Sequence, residues 1–447
     1  MPAGIFASHL NIVSCQLHMK KVSFLAAWLM LAGIGMHTAF AQAPIQFNAR
    51  ALVAVSDADL SASALIDGNR YTSQGTRDQL TYVSFPLNRT GQTMGAVNLS
   101  NSMSLTDKAL AVTSSGRVGF VIEGRSSLGD SLSTIKGLTD FPATNTLFVL
   151  DLSNPQKPAV KYRVPIGASP TLTAVSLAPT GSSVVVASGE AGKEIKLVEV
   201  DATGKPTRIL TAGSPVPDVA IADVTFHPGG QFIAYTTANG EVGLMKYAID
   251  EKTKKPYVVP HGKPVKVGAA VGGGKFTAKG DYFIVADSKK GPGAGGAGAG
   301  ELFVIQFSTD DTPADAKIVS QVATGESPEA VAISPDGATV AVVSAGQSYQ
   351  PFTNAAAGKS EVALYSLKEG KLAAAGKAAI NGIMPQAVEF DKTGENLAVG
   401  VAEYLDYGLR TGGIEFYKVT KGDQPSLTKQ PGRISVTRGV HAIRVVN

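Results

Sequence analysis

The 447-residue chain holds one cysteine, Cys15, and one tryptophan, Trp28. A single thiol excludes an internal disulfide framework and any paired-cysteine metal or iron–sulfur centre. The six histidines are scattered without paired-ligand spacing, so a transition-metal site is not expected. Charged residues make up only 17% of the chain, and the formal charge of +4 is spread rather than gathered into runs, which speaks against nucleic acid or a membrane surface as partner. The apolar run Val22–Gly35 is too short to span a bilayer. Phosphate cradles are missing as well. "VGGGKFTAKG" from Val271 lacks the Walker spacing and leads into a strand, "GPGAGGAGAG" from Gly291 is a low-complexity insertion, and no Gly-x-Ser-x-Gly elbow stands between a strand and a helix. No cofactor is expected.

At the N-terminus the apolar run has another meaning. Met19-Lys20-Lys21 is a basic head, Val22–Gly35 an apolar middle, and "AFA" at Ala39–Ala41 a small-residue cleavage site. This is the pattern of a bacterial secretory signal, with cleavage after Ala41, a true start at Met19 and a misassigned extension before it. The expected location is therefore the periplasm or the exterior. Residues 1–41 form the signal segment and 42–447 a single domain. Cleavage removes Cys15, Trp28, Lys20 and Lys21, lowers the formal charge to +2 and leaves His227, His261 and His441.

What the chain has in abundance is a repeat. A strand-length apolar segment recurs seven times: "QLTYVSF" from Gln79, "TLFVLDL" from Thr146, "EIKLVEV" from Glu194, "EVGLMKY" from Glu241, "ELFVIQF" from Glu301, "EVALYSL" from Glu361 and "GIEFYKV" from Gly413. Upstream of six of them stands a strand, a glycine-closed turn and a second strand, clearest in "EAVAISPDGATVAVVSAG" from Glu329. The turn glycines are Gly116, Gly181, Gly230, Gly280, Gly337 and Gly394. Each unit is thus a small antiparallel meander.

The first unit lacks its first strand, because "RALVAVSD" from Arg50 aligns with "ATVAVVSA", the second strand of the repeat. The missing piece lies at the other end, where "VHAIRVVN" from Val440 aligns with "PEAVAISP". Pairing the two ends closes a ring and removes its free edges. The expected fold is all-β, a monomeric seven-bladed β-propeller of four-stranded antiparallel blades, closed by strand 440–447 on the N-terminal blade.

"GESPEAVAISPDGATVAVVSAG" from Gly325 and "MPQAVEFDKTGENLAVGVAE" from Met384 resemble the YVTN and lactonase-like, or 6-phosphogluconolactonase-like, seven-bladed propellers over Arg50–Asn447. Loss of Trp28 sets the mature chain apart from Trp-Asp repeat propellers. The resemblance implies the ring but several activities, among them lactone hydrolysis, muconate lactonisation, the heavy subunit of an amine dehydrogenase and binding modules. Lactonase-like propellers often carry Pro-His where this chain has Val440-His441. Their Asp-Leu-Gly stretch with a following Asp is absent from every blade here.

Aligning the units on the turn glycine projects residues onto the ring. Eight positions before it, where the first strand begins, blades 1 to 7 read His441, Lys108, Thr173, Ala222, Gly272, Glu329 and Gln386. The polar members come from blades 6, 7, 1 and 2. The same blades have the long connections between second and third strands, 57–78, 124–145, 345–359 and 403–412, which carry Arg70, Tyr71, Arg77, Arg125, Lys136, Tyr349, Phe352, Tyr404, Tyr407 and Arg410. Aromatic faces mixed with cationic donors suit a small organic ligand, an anionic one included. His227, before the turn proline, and His261, in the Lys/Pro-rich connection, read as structural or solvent-exposed residues, and "DAD" at Asp57–Asp59 is too short for a calcium motif.

Three functions follow as expectations. The first is a binding or interaction module that uses the loop-rich face for a small ligand or a periplasmic partner protein. The second is a lactone hydrolase or isomerase, with His441 as base near Glu329 and with Arg444, Lys108 or Arg125 stabilising the oxyanion. The third is the heavy subunit of a periplasmic redox complex whose cofactor sits on another chain.

Overall fold

The second strand of a blade is buried on both faces, as in "ALVAVS" at Ala51–Ser56, where all six residues are buried. Such a strand must lie between two packed layers, and a ring of radial sheets supplies them. The computed structural model describes residues 44–447 apart from 73–74, 88–92, 169–170, 290–297, 352, 355–357 and 407. The expected signal segment 1–41, Phe352, Tyr407 and most of the glycine run after Gly291 therefore lie outside the described residues.

Seven antiparallel sheets form the blades, each traced by four strands. Their innermost strands are Val440–Val446, Leu110–Val112, Leu172–Leu177, Ile221–Phe226, Val271–Phe276, Pro328–Ile333 and Ile383–Phe390 for blades 1 to 7. Blade 4 adds a short piece, Val265–Lys266, which pairs with Glu241 and Val242. Ring closure is as read from the sequence. Val440–Val446 lies antiparallel to Ala51–Ser56, with Val446 opposite Ala51 and Ala442 opposite Val55. The six turn glycines all have φ between +67° and +82°, a region where a β-carbon is strained.

Alternate side chains of one strand serve two different cores. In blade 1, Leu52 packs with Ile414 and Phe416 of blade 7, whereas Val53 packs with Phe148 and Leu150 of blade 2. The long loops add a further core of their own over one end of the ring, built from Leu60, Ala62, Met103, Ile135, Phe141, Tyr349 and Met384 among others. No helix among the described residues is long and apolar enough to cross a membrane.

Candidate functional site in the central channel

In six blades the inner strand breaks register at one place. Pairing skips His441, Thr173, Ala222, Gly272 with Gly273, Glu329 and Gln386. A β-bulge frees a residue from the ladder and re-aims its side chain. The ring found eight residues before the turn glycine is thus a ring of bulges. In blade 2 the equivalent Lys108 ends a 3₁₀ segment, Met103–Lys108.

Below this ring the channel opens into a cavity of about 380 Å³. Six of the seven blades place ionisable side chains on its wall: Arg444 from blade 1, Asp107 and Lys108 from blade 2, Asp223 from blade 4, Lys275 from blade 5, Glu329 from blade 6 and Glu389 from blade 7. Lys275 and Glu389 stand five residues before their turn glycines, and both, like Arg444, stand three beyond the bulge. The cavity extends to exposed Pro228 and Ala278, beside the turns between first and second strands. It therefore opens on the turn face, opposite the long loops.

The charges lie in two tiers. In the first, Arg444 Nη1 lies 2.5 Å from Asp107 Oδ1 and 3.5 Å from Glu389 Oε1. Lys275 Nζ is 3.1 Å from Asp107 Oδ2 and also bonds Glu389. In the second tier, Lys108 Nζ donates to the Ala222 carbonyl at 3.2 Å, and Asp223 Oδ2 accepts the Gly274 amide at 3.0 Å. Burial pushes the Glu329 carboxyl up to about 7, against the opposing pull of Gln386 and Lys108. Burial also lowers Lys108 and raises Asp223, each opposed by the other's charge. Groups of both signs displaced by burial in one cavity mark it as the candidate site.

The Glu329 shift sets a pH dependence. Its folded value near 7 lies above the ordinary 4.5, so the fold holds a proton that the unfolded chain has released. That stabilisation is complete below pH 4.5 and is lost as pH rises through 7. Glu329→Gln keeps the neutral form throughout and is expected to match the wild type near pH 4.5. At pH 8 it should exceed it by roughly 2 kcal/mol, after allowing for water in the cavity. Urea unfolding at both pH values measures this, and a variant equally or less stable at pH 8 would refute it. His441 runs the opposite way, but it is common to both proteins.

His441 itself is fully buried and lines neither this cavity nor the smaller one on the loop face. Its Nδ1 is 3.0 Å from the Thr106 carbonyl and its Nε2 is 2.6 Å from Asn101 Oδ1. Burial disfavours the imidazolium and holds the group down at about 4, against the opposing pull of the Thr106 carbonyl and the Asp107 charge. His441 thereby anchors a plug. Residues 101–108 close the channel from the loop side, with Met103 N bonded to Asp57 and Met103 O to Gln386 Nε2. Thr106 in this plug has φ 48° and ψ −143°, a strained geometry for a β-branched residue.

The loop residues knit the cap together. Arg70 is fully buried, its guanidinium donating to the carbonyls of Asp59, Gly129 and Leu132. Arg125 Nη1 donates to the Phe141 carbonyl at 2.8 Å, and Arg77 pairs with Asp130 at 3.0 Å. Tyr349 and Tyr404 are buried. Tyr71 is 46% exposed and lies beneath Arg410, whose guanidinium sits 3.8 Å from the ring centre and also pairs with Glu403 at 2.7 Å. Lys136 is exposed. His227 accepts the Gly229 amide, and His261 packs on Phe232.

Sequence reasoning missed Asp107, Asp223, Lys275 and Glu389 in the channel, and Arg438 and Asp78 in the cap. Moving the alignment three positions past the bulge finds Lys275 and Glu389. Arg438 donates to the carbonyls of Ala58, Tyr71 and Arg70 from outside every long loop. Asp78 joins Asp57 and Asp59, with carboxylate oxygens within 4.8 Å of one another, the grouping nearest to a cation ligand set among the described residues. Backbone amides already occupy these oxygens, including Asp59 and Leu60 N on Asp57, Ala58 and Asn101 N on Asp78, and Leu128 N on Asp59. Burial, with repulsion inside the group, raises Asp57 and brings Asp78 to about 7.

No family model and no curated protein matches this sequence. Solved structures do. The periplasmic gluconolactonase of Pseudomonas aeruginosa superposes with a TM-score of 0.56 at 13% identity, covering 89% of this chain and 99% of that one. The chain has the lactonase-like propeller fold. A provisionally assigned 6-phosphogluconolactonase from Bacteroides uniformis gives 0.58 at 15% identity over 90% and 100% of the two chains. A functionally unknown protein from Desulfotomaculum acetoxidans gives 0.55 at 12%, over 89% and 99%. At such identities the likeness is one of fold.

Proposed function

We propose that this lactonase-like propeller is a periplasmic or secreted ligand-binding protein whose site is the central channel, entered from the turn face. The observation that carries this reading is the convergence of seven ionisable side chains from six blades on one 380 Å³ cavity. The seat of binding thus moves from the loop-rich face, where arginines and tyrosines are spent on holding the cap, to the channel. One chain supplies every group, so a monomer suffices.

The pairing of the charges selects the ligand class. Arg444 and Lys275 are paired with Asp107 and Glu389, and Lys108 lies in the field of Asp223 and Glu329, which sets donors and acceptors side by side. That pattern suits the hydroxyl groups of a sugar acid or its lactone better than a phosphate. The volume is that of a small-molecule site. Calorimetric titration of the leaderless protein with gluconate and glucono-1,5-lactone tests this. Binding is expected, weakened at least tenfold by Lys108→Met. No binding of either, or binding indifferent to Lys108→Met, would overturn it.

A second reading, lactone hydrolysis, is favoured by Glu329, a carboxyl near neutrality within the field of Lys108. Proton release from glucono-1,5-lactone would then be lost in Glu329→Gln and retained in a folded His441→Ala protein. Absence of proton release in the wild type leaves binding alone.

A further inference from the structure

On the channel wall Arg444 and Lys275 are each held by Asp107 and Glu389. Lys108, the third cation there, has no carboxylate at ion-pair distance among the described residues. Its stem leaves blade 2 and crosses the channel against Gly273 of blade 5, where a β-carbon would stand 3.1 Å from Lys108 Cγ. Only a glycine leaves that passage open. Nζ then meets a single neutral acceptor, the Ala222 carbonyl of blade 4, at 3.2 Å.

An ammonium carries three N–H donors, so one carbonyl satisfies it poorly, whereas a neutral amine asks for less and keeps a lone pair. Burial favours the neutral form, against the opposing charges of Asp223 and Glu329. Lys108 and Glu329 are both half-buried and both line the 380 Å³ cavity, and burial holds the Glu329 carboxyl at about 7. A neutral amine and a proton-bearing carboxyl in one cavity are what condensation with a carbonyl requires.

We infer that Lys108 captures a sugar acid bearing a free keto group as an imine, with Glu329 as the proton donor. This rests on the channel as the sugar-acid site. The Nζ lone pair bonds to the carbonyl carbon, and the C=O π pair moves to oxygen, which takes the Glu329 proton. The nitrogen passes one of its protons to the Glu329 carboxylate, and that proton leaves with the hydroxyl as water. The product is an iminium facing a Glu329 carboxylate, and neither oxidant nor reductant is consumed.

Sodium cyanoborohydride reduces an iminium to a stable amine, so the adduct can be trapped and placed by peptide mass mapping. With 2-ketogluconate at pH 7, Lys108 is expected to be labelled about tenfold faster than any other lysine, and Glu329→Gln to slow that labelling about tenfold or more. The wild-type map needs no variant to fold. Gluconate has no keto group, so its calorimetric binding reports the channel separately. Gluconate binding without a Lys108 adduct, or labelling spread evenly over the lysines, would overturn the imine and leave the binding reading standing. A Lys108 adduct without gluconate binding would uphold the imine and overturn that reading, and the absence of both would overturn both.

Discussion

A chain that stops at Gly439 is expected not to fold. The missing segment contains Val440, Ala442, Ile443 and Val446, each at most 2% exposed and packed between blades 7, 1 and 2. Burying such side chains contributes about 1.5–3 kcal/mol for each of the larger ones. The backbone ladder from Ala51 to Ser56 is lost with them, along with the flanking bond from Arg50 N to the Val446 carbonyl at 2.9 Å. The total loss rivals the about 5–15 kcal/mol that holds a typical domain together. It also exposes a fresh edge strand in the middle of the molecule. Circular dichroism and limited proteolysis of the 1–439 chain should show loss of the cooperative transition and rapid digestion. A sharp unfolding transition close to that of the full chain would mean that the ring stands without its closing strand.

That closure was legible because it depends on repetition, which a sequence displays directly. Gly116, Gly181, Gly230, Gly280, Gly337 and Gly394 mark six turns, and the missing strand before Arg50 reappears at Val440. The bulge ring was legible for the same reason: counting back eight residues from the turn glycine lands on Glu329 and Gln386, and aligning the C-terminal strand with theirs adds His441. What those residues touch was not legible. His441 and Glu329 share a ring position, yet one is sealed under Asn101 and Thr106 while the other faces the cavity, because an insertion between blades 1 and 2 descends into the channel only there. The loop cations show the same limit. Arg70 in a long polar connection reads like a ligand donor, and only the course of residues 128–132 around it reveals that its partners are carbonyls of the neighbouring loop. Composition distinguishes neither case, since packing a loop and binding an organic ligand call for the same residue types.

Arg444→Met is expected to damage stability and binding together, and the reason lies in the channel's charge pairing. Arg444 Nη1 and Nη2 both bond residue 107, at the Asp107 carboxylate and carbonyl, and Nη1 also faces Glu389. Its side chain is 23% exposed and that of Asp107 is 11% exposed, so the pair is only partly screened. Removing the arginine leaves Asp107 and Glu389 competing for Lys275 alone. Breaking a fully buried pair costs about 3–5 kcal/mol; with the cavity's water, about 2–3 kcal/mol is expected. A methionine of similar length limits the packing loss, so the deficit is mainly electrostatic. Asp107→Asn made on top of Arg444→Met should recover part of it, giving a coupling of about 1 kcal/mol or more in a double-mutant cycle read by urea unfolding. Gluconate affinity should fall at least tenfold in Arg444→Met and stay low in the double variant, because neutralising the tier restores the fold without restoring its donors. Additive losses in the cycle would show that Arg444 and Asp107 act independently, and the paired-charge account of the channel would fail with them.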